Sequence, residues 1–199
     1  MSENNVLETT PMNKKTILGK GGPIAGSAIS IIGNLFVLIG FVLPWASCSG
    51  YKLSGLDIVT QSGSAILGNT NGTLLGIIPF LAIGIIGVAI LTIPASLLKK
   101  IPSIARIIGM VLIAIMTACA CLPSCLFFTN MQSARNNPNN FGLGGFVQIE
   151  YGFWVTIFGL IVSLIGGFLG IGTSVAEMLL SKKKSAKIPK TEEVSADNL

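Results

Sequence analysis

The stretch GIIPFLAIGIIGVAILTIPASLL, residues 76–98, contains no charged side chain, and it decides the fold class of the chain. A helix that crosses a bilayer core of about 30 Å needs ~20 apolar residues. Backbone N–H and C=O groups find no water in lipid, so a segment that crosses it must satisfy them internally, as a helix does. The stretch therefore predicts a transmembrane helix.

Three more stretches have the same apolar character, at residues 23–45, 104–128 and 151–180. Only 11% of the chain is charged, against about a quarter of an average soluble protein. A soluble fold would leave too little polar surface to cover four such helices, and the strand alternation of a membrane barrel is absent. The sequence predicts an all-α membrane protein, a four-helix transmembrane bundle with up-down-up-down topology, over residues 23–180.

The basic residues indicate the orientation of this bundle. Lys52 and Arg135 fall on one side, and the other eleven of the thirteen fall on the opposite side. Those eleven are Lys14, Lys15, Lys20, Lys99, Lys100, Arg106, Lys182, Lys183, Lys184, Lys187 and Lys190. The positive-inside rule then predicts a protein of the cell membrane with both termini in the cytoplasm. These termini form the tails 1–22 and 181–199. The tails are polar and without periodicity, which predicts disorder. Their positive charge suits membrane lipids as partners rather than nucleic acid.

The outer side is then formed by two loops, residues 46–75 and 129–150. Each loop has a β-favouring portion, LDIVT at 56–60 and FVQIEY at 146–151, and together these predict a small outer sheet. Aromatic rings prefer the membrane–water boundary, so three residues are predicted as interface anchors. They are Trp45, Tyr151 and Trp154. Asn71 begins a glycosylation sequon that would matter in a eukaryotic host.

Small residues recur at helical spacing in the first and fourth spans and predict close helix packing. They are Gly26, Ser30, Gly33 and Gly40 in the first span, and Gly159, Ser163, Gly167 and Gly170 in the fourth. The faces pack either within one bundle or against another chain. The first alternative is favoured, because four spans must first pack on each other.

Ionisable residues are absent from the middle of every span, which disfavours a proton or ion pathway. Glu177, near the cytoplasmic end of the fourth span, is expected to pair with Lys182 or Lys184. Asn34 is the strongly polar side chain near mid-membrane. It is either a hydrogen-bonded packing residue or part of a path for a small neutral or lipidic molecule, lined by Asn34, Thr117, Thr156 and Ser163.

The cysteines of CACLPSC, residues 119–125, raise the question of redox or metal chemistry. Cys121 and Cys125 share a helix face but Cys119 points elsewhere, and the chain has no His, so no metal or cofactor is expected. Cys48 and Cys125 lie at matching depth. They either form a disulfide that pins the first span to the third or stay free as small apolar side chains. Cys48 also ends a lipoprotein-like cleavage box, WASC, but the preceding apolar stretch is too long for a signal peptide.

Three resemblances bear on function. The topology and the cysteines at one helix end resemble four-span thiol oxidoreductases of the vitamin K epoxide reductase kind, although the spacing is CxxxC and no loop supplies a second pair. An aromatic residue entering the first outer loop resembles claudin-like tetraspans, whose Gly-Leu-Trp segment and two loop cysteines are not met. The combination of LPWASC, SGLDI and EYGFW resembles small uncharacterised prokaryotic four-span membrane proteins, which implies no mechanism.

We therefore expect a non-enzymatic integral membrane protein. It would act as a structural or accessory subunit that contacts partner proteins, lipids or a second copy through its small-residue faces and outer loops. One alternative is a carrier or pore for a small neutral or lipidic molecule. The other is a thiol oxidoreductase that uses the cysteines at the outer face.

Overall fold

The computed structural model describes residues 14–48, 50–60, 72–98, 103–136 and 148–185. Four long helices make up most of this part of the chain, and each is long and apolar enough to cross a membrane. The elements are helix α1 (Lys14–Val42), strands β1 (Pro44–Cys48) and β2 (Tyr51–Ser54), short helices α2 (Gly55–Val59) and α3 (Gly72–Leu75), helices α4 (Ile77–Leu97) and α5 (Ser103–Asn136), strand β3 (Gln148–Ile149) and helix α6 (Tyr151–Ser185). The all-α, four-span fold class is confirmed.

The long helices form a closed ring of neighbours. Helix α1 packs along α4 and α6, α5 also packs along α4 and α6, and α1 and α5 lie on a diagonal with little contact. Gly22 lies against Thr173 at one end of the bundle and Gly40 lies against Thr156 at the other, so α1 and α6 run antiparallel. We call the end that carries the β-strands the sheet end, and the end where α1 begins and α6 finishes the terminal end.

A three-stranded antiparallel sheet covers the sheet end, with the order β2-β1-β3. Gly50, with φ 88°, turns the chain between β1 and β2. The predicted outer sheet therefore exists, and 146–151 supplies its third strand. The prediction for 56–60 is wrong, because most of that stretch is helix α2. Ser54 Oγ accepts from Asp57 N–H at 3.1 Å, and the Asp57 carboxylate accepts from Ser54 N–H at 2.9 Å, which caps the helix at both positions.

Several helices extend past their predicted limits. Helix α1 begins at Lys14, inside the segment 1–22 that was expected to be disordered, and α5 continues to Asn136 through the first third of the loop predicted at 129–150. Helix α6 ends at Ser185 rather than 180. Hydropathy marks where lipid ends, whereas a helix continues into the headgroup region because its backbone bonds stay internal. The outer parts of both predicted tails and the sequon at Asn71 lie outside the described residues.

Two apolar clusters fill the bundle. The larger lies beneath the sheet and is centred on Trp45, Phe127 and Phe153. The smaller lies nearer the terminal end and contains Ile85, Ala89, Met110 and Ile113. The outward faces of the four long helices present isoleucine, leucine and phenylalanine side chains, as expected of surfaces in contact with lipid tails.

Candidate functional site

In the seam between α1 and α6, the backbones of two described helices meet directly. A Cβ added to Gly33 would lie 2.5 Å from Ser163 N and 2.6 Å from Gly159 O, closer than real Cβ atoms approach such atoms. Gly26 and Gly40 meet α6 backbone in the same way, at Gly166 and Thr156 respectively. The small residues of α1 therefore allow backbone-to-backbone contact within one chain.

Two of the predicted small residues of α6, Gly167 and Gly170, lie against α5. A Cβ on Gly170 would lie 2.5 Å from Met110 Sδ, and one on Gly167 would make an ordinary contact with Ala114 Cβ at 3.5 Å. Ser30 of α1 also belongs to the seam between α1 and α6, because its hydroxyl donates to Ser163 O at 3.2 Å. The predicted small-residue faces are thus covered inside the bundle, and a second chain could reach them only if the helices separated.

A polar layer crosses the bundle near its middle. It consists of Asn34 on α1, Ser163 on α6 and Thr117 on α5, all fully buried. Asn34 Nδ2 donates to Ser163 Oγ at 2.7 Å, and Thr117 Oγ1 donates to Ile113 O at 2.8 Å. The 3.1 Å contact between Ser163 and Thr117 therefore has Ser163 as its donor. One chain of hydrogen bonds links three helices.

The polar layer leaves one atom unsatisfied. Asn34 Nδ2 also donates to Ser30 O at 2.8 Å, but the buried Asn34 Oδ1 has no hydrogen-bond partner. Thr156, the fourth residue of the predicted path, does not join the layer, since its hydroxyl donates to Gly152 O on its own helix. Sequence analysis therefore selected three residues that the fold brings together and one that it does not.

A second hydrogen bond ties α1 to α4. Ser27 Oγ and Thr92 Oγ1 are 2.7 Å apart, and Thr92 donates to Ala89 O at 2.8 Å, so Ser27 is the donor between the two hydroxyls. Neither residue was singled out from the sequence. Serine and threonine inside an apolar helix are the signal that would have indicated such a link.

Trp45 closes the sheet end of the bundle from inside. Its ring is fully buried against Phe41, Phe127 and Phe153, with centroid separations of 5.4, 5.3 and 5.5 Å. The indole N–H donates to Gly40 O at 2.9 Å, a carbonyl in the last turn of α1 that also accepts from Leu43 N–H. The prediction that Trp45 anchors the protein at the lipid interface is wrong, because the central strand β1 directs the ring into the bundle.

The other two predicted interface anchors lie at the start of α6. About half of the surface of Tyr151 and of Trp154 is exposed, with values of 51% and 54%. Trp154 also contacts the rings of Phe128 and Phe153 edge to face. This position, at the sheet end and on the outside of the bundle, suits rings at a membrane–water boundary.

Of the two alternatives left open for Cys48 and Cys125, the disulfide does not form. Cys125 is a free thiol on the exposed face of α5, and Cys119 and Cys121 of the same helix are free as well. The physical reason is that Cys125 lies on the exposed, outward face of α5, whereas the part of α5 that meets β1 is Phe127. The side chain of Cys48 lies outside the described residues.

An ion pair joins α5 and α6 at the terminal end. Arg106 Nη1 donates to Glu177 Oε2 at 2.9 Å, with the two side chains 10% and 28% exposed, and Arg106 Nη2 donates to Ser103 Oγ at 3.1 Å. The expected partner of Glu177 was Lys182 or Lys184, whose side chains lie outside the described residues. The pairing with Arg106 was missed because it depends on how α5 and α6 face each other.

The fold and these sites define an integral membrane protein with four spans whose interior is held by a glycine seam, a polar layer and an aromatic plug. Comparisons of the chain with known protein families, with curated proteins and with solved structures found no match. Among the residues that the structure describes, no group of three His, Cys, Asp or Glu side chains is placed to hold a metal ion.

Proposed function

We propose that the protein is a non-enzymatic accessory subunit of the cell membrane, with both termini in the cytoplasm, and that the sheet end contacts a partner membrane protein. The single observation that carries the proposal is that the predicted small-residue faces are covered inside one chain, whereas Tyr51 and Lys52 of β2 and Leu56 of α2 are exposed at the sheet end. Partner recognition then falls to the sheet end.

The exposed surface at the sheet end has features that suit a protein partner. Tyr51 of β2 is 74% exposed, and Leu56 of α2 is about half-exposed beside it in the chain. Tyrosine presented on an ordered polar surface is typical of contact residues. The capping box formed by Ser54 and Asp57 fixes α2, so these side chains are presented without a further ordering cost.

The edge strand β2 gives the partner a defined way to dock. Within the described part of the chain, β2 pairs with β1 on one side only. The backbone groups along its other side can accept an additional strand from a partner, as happens in β-augmentation. Lys52, exposed on the same strand, discourages pairing with a second copy of itself and favours a partner with acidic groups.

Photo-crosslinking in native membranes tests the proposal. A benzophenone amino acid replaces Tyr51 in one variant and Phe80 in the control, because both side chains are 74% exposed but Phe80 lies on the apolar helix α4. We expect one discrete protein adduct from position 51 and only lipid adducts from position 80. Lipid adducts alone from both positions, or a protein adduct from position 80 alone, would contradict the proposal.

A second candidate function is a carrier for a small neutral molecule, and the unpartnered Asn34 Oδ1 favours it. A buried amide oxygen without a donor is unusual in proteins, and a substrate that donates a hydrogen bond would satisfy it. The test is efflux of urea or glycerol from proteoliposomes that contain the wild type or Asn34→Leu. Flux that Asn34→Leu abolishes while its size-exclusion profile is unchanged supports this candidate, and flux equal to that of empty liposomes excludes it.

A further inference from the structure

Lysines are concentrated in the outermost turns of two helices at the terminal end of the bundle. Helix α1 begins at Lys14 and helix α6 finishes at Ser185, and because these helices run antiparallel, both of these helix ends lie at the terminal end. Glu177, also at this end, forms an ion pair with Arg106, so these two charges balance. The lysines therefore give the helix ends a net positive charge. We call these six residues the terminal lysines: Lys14, Lys15, Lys20, Lys182, Lys183 and Lys184.

The terminal lysines begin where the apolar spans end. The apolar span of α1 starts at Gly21, directly after Lys20, and the apolar span of α6 ends at Leu180, shortly before Lys182. With a rise of about 1.5 Å per residue, the first turn of α1 lies about 10 Å beyond Gly21. The headgroup region of a bilayer is about 5–8 Å thick on each side of the hydrocarbon core. The lysine positions on the two helices therefore extend through the headgroup region.

The opposite end of the bundle has a balanced charge. Among the residues that the structure describes there, the basic Lys52 and Arg135 are matched in number by the acidic Asp57 and Glu150. A lysine gains free energy near an anionic membrane surface, and this gain falls off within a Debye length of about 8–10 Å. The attraction for anionic groups in the plane of the membrane is therefore confined to the terminal end.

The polar segments that flank the long helices carry too little negative charge to balance the terminal lysines. Residues 1–13 contain two acidic residues, and residues 186–199 contain three acidic and two basic residues, which together give a side-chain charge of −3. Six lysines would keep a net positive charge even with both segments folded back onto them. Anionic lipid headgroups, in contrast, lie at the depth of the lysines and are present in any number that the surface requires.

We propose that the terminal lysines bind the phosphate groups of anionic phospholipids, so that the terminal end is a recognition surface for an anionic leaflet. A lysine ammonium binds phosphate as a compact point charge with three donors, which suits mobile headgroups better than a fixed geometry would. Lipids bound between lysines of α1 and α6 also hold these two helix ends together beyond the glycine seam. This surface is separate from the partner site proposed at the sheet end and does not depend on it.

Native mass spectrometry of the full chain in detergent tests the preference for anionic headgroups. The probes are phosphatidylglycerol and phosphatidylcholine with identical acyl chains. We expect the wild type to bind phosphatidylglycerol at least about 5-fold more tightly than phosphatidylcholine, which is the gain that one lysine near an anionic surface gives. Equal affinity for the two lipids would overturn the proposal.

A variant assigns this preference to the terminal lysines. Glutamine replaces five of them, because glutamine and lysine have similar helix propensities. Lys20 and Arg106 stay in place, so that part of the basic bias that orients the spans is kept. We expect the preference for phosphatidylglycerol to fall below about 2-fold, and an unchanged preference would overturn the proposal. The substitutions are Lys14→Gln, Lys15→Gln, Lys182→Gln, Lys183→Gln and Lys184→Gln.

The matched control removes the two basic residues of the sheet end by combining Lys52→Gln with Arg135→Gln. We expect this control to prefer phosphatidylglycerol as strongly as the wild type does. A preference that is lost in the control and kept in the variant of the terminal lysines would place the lipid surface at the sheet end and overturn the proposal.

Hydrogen exchange in nanodiscs decides the same question on the wild type alone. We expect the amides of residues 14–20 and 181–185 to exchange about 5-fold more slowly when phosphatidylglycerol is mixed in equal amount with phosphatidylcholine than in phosphatidylcholine alone. Equal exchange in both bilayers would overturn the proposal. So would equal slowing by inorganic phosphate added to phosphatidylcholine nanodiscs, which would indicate a site for a free anion. Slow exchange in phosphatidylcholine alone that removal of residues 186–199 abolishes would identify that segment as the occupant instead.

Discussion

Replacing Gly33 by alanine tests the seam between α1 and α6 at its tightest point. The added Cβ would meet Ser163 N at 2.5 Å and Gly159 O at 2.6 Å, and both atoms belong to a helix backbone that cannot rotate away. Ordinary van der Waals contact begins at 3.4 Å, so the two helices must separate locally by the difference, 0.9 Å. The substitution adds one methyl group and changes no charge.

The expected loss of stability has two parts. Forcing an extra methyl group into a packed seam costs about 1–3 kcal/mol. A separation of this size would also stretch the 2.7 Å hydrogen bond from Asn34 Nδ2 to Ser163 Oγ beyond the range of a real bond, which removes about 1 kcal/mol. We expect Gly33→Ala to lower the free energy of unfolding by about 2–4 kcal/mol.

Equilibrium unfolding by sodium dodecyl sulfate in mixed micelles, followed by helicity, measures this effect. The control is Gly87→Ala on α4, where an added Cβ meets no atom within 4 Å. Alanine there should be neutral or stabilising by up to about 1 kcal/mol, because glycine is the poorer helix former. The pair separates the steric effect from helix propensity.

Equal stability of Gly33→Ala and Gly87→Ala would refute the close approach of α1 and α6. A second result would be equally damaging, namely a Gly33→Ala protein that unfolds like the wild type but loses a homo-oligomer on size exclusion. That result would place the glycine seam between two copies of the chain instead of within one.

The sheet end and the thiols provide three further tests. Trp45→Ala should lower the free energy of unfolding by about 3–5 kcal/mol in the same assay, and a loss below 1 kcal/mol would contradict the aromatic plug. Hydrogen bonds from Ser54 hold the pKa of the Asp57 carboxyl below its usual range. The stability that this carboxylate gives to α2 is therefore present above about pH 4 and is lost as pH falls through the lowered pKa. Asp57→Asn should remove this acid sensitivity, which hydrogen exchange in α2 measures. Cys125 should react with a maleimide to the same extent with and without prior reduction, and a reductant-dependent mass shift would indicate a disulfide.

Hydropathy was sufficient to predict that the four spans exist and in which order, but it did not predict where the helices begin and end. The stretch 76–98 became helix Ile77–Leu97 almost unchanged, since both of its ends coincide with the edges of the apolar run. Helix α5 continues past the apolar run through Asn130 and Arg135, because polar residues outside the lipid leave the backbone hydrogen bonds of a helix intact. Apolar length reports the thickness of the bilayer rather than the length of the helix.

The error at residues 56–60 had a visible signal. Ile58 and Val59 favour strands, but the preceding Ser54 and Asp57 form a Ser-x-x-Asp capping box that starts a helix. A local cap with two reciprocal hydrogen bonds outweighed a β-propensity that depends on context. The first strand instead spans Pro44–Cys48. The chain turns at Gly50, and the residues after it pair antiparallel with that strand.

The sequence alone could single out residues that contact another helix, but it could not show which residue on the other helix each one contacts. Asn34 and Ser163 were singled out as polar residues among apolar ones, whereas their bond depends on the rotation of α1 against α6. Arg106 and Glu177 stand 71 positions apart in the chain, and only the antiparallel register of α5 and α6 makes them neighbours. Helix rotation is set by the whole packing arrangement, which single-residue patterns do not contain.

The proposed placement of partner contacts at the sheet end rests on how membranes limit recognition. Lipid tails are as apolar as isoleucine or leucine, so a helix face made of these residues gains little by exchanging lipid for protein. Close backbone approach would provide specificity, but the predicted small-residue rows of α1 and α6 are already packed inside the bundle. An exposed tyrosine, an ordered capping box and an open strand edge lie together around Tyr51 and Asp57, where water makes hydrogen-bond geometry selective. We therefore propose that a partner that distinguishes this protein from the surrounding bilayer binds there.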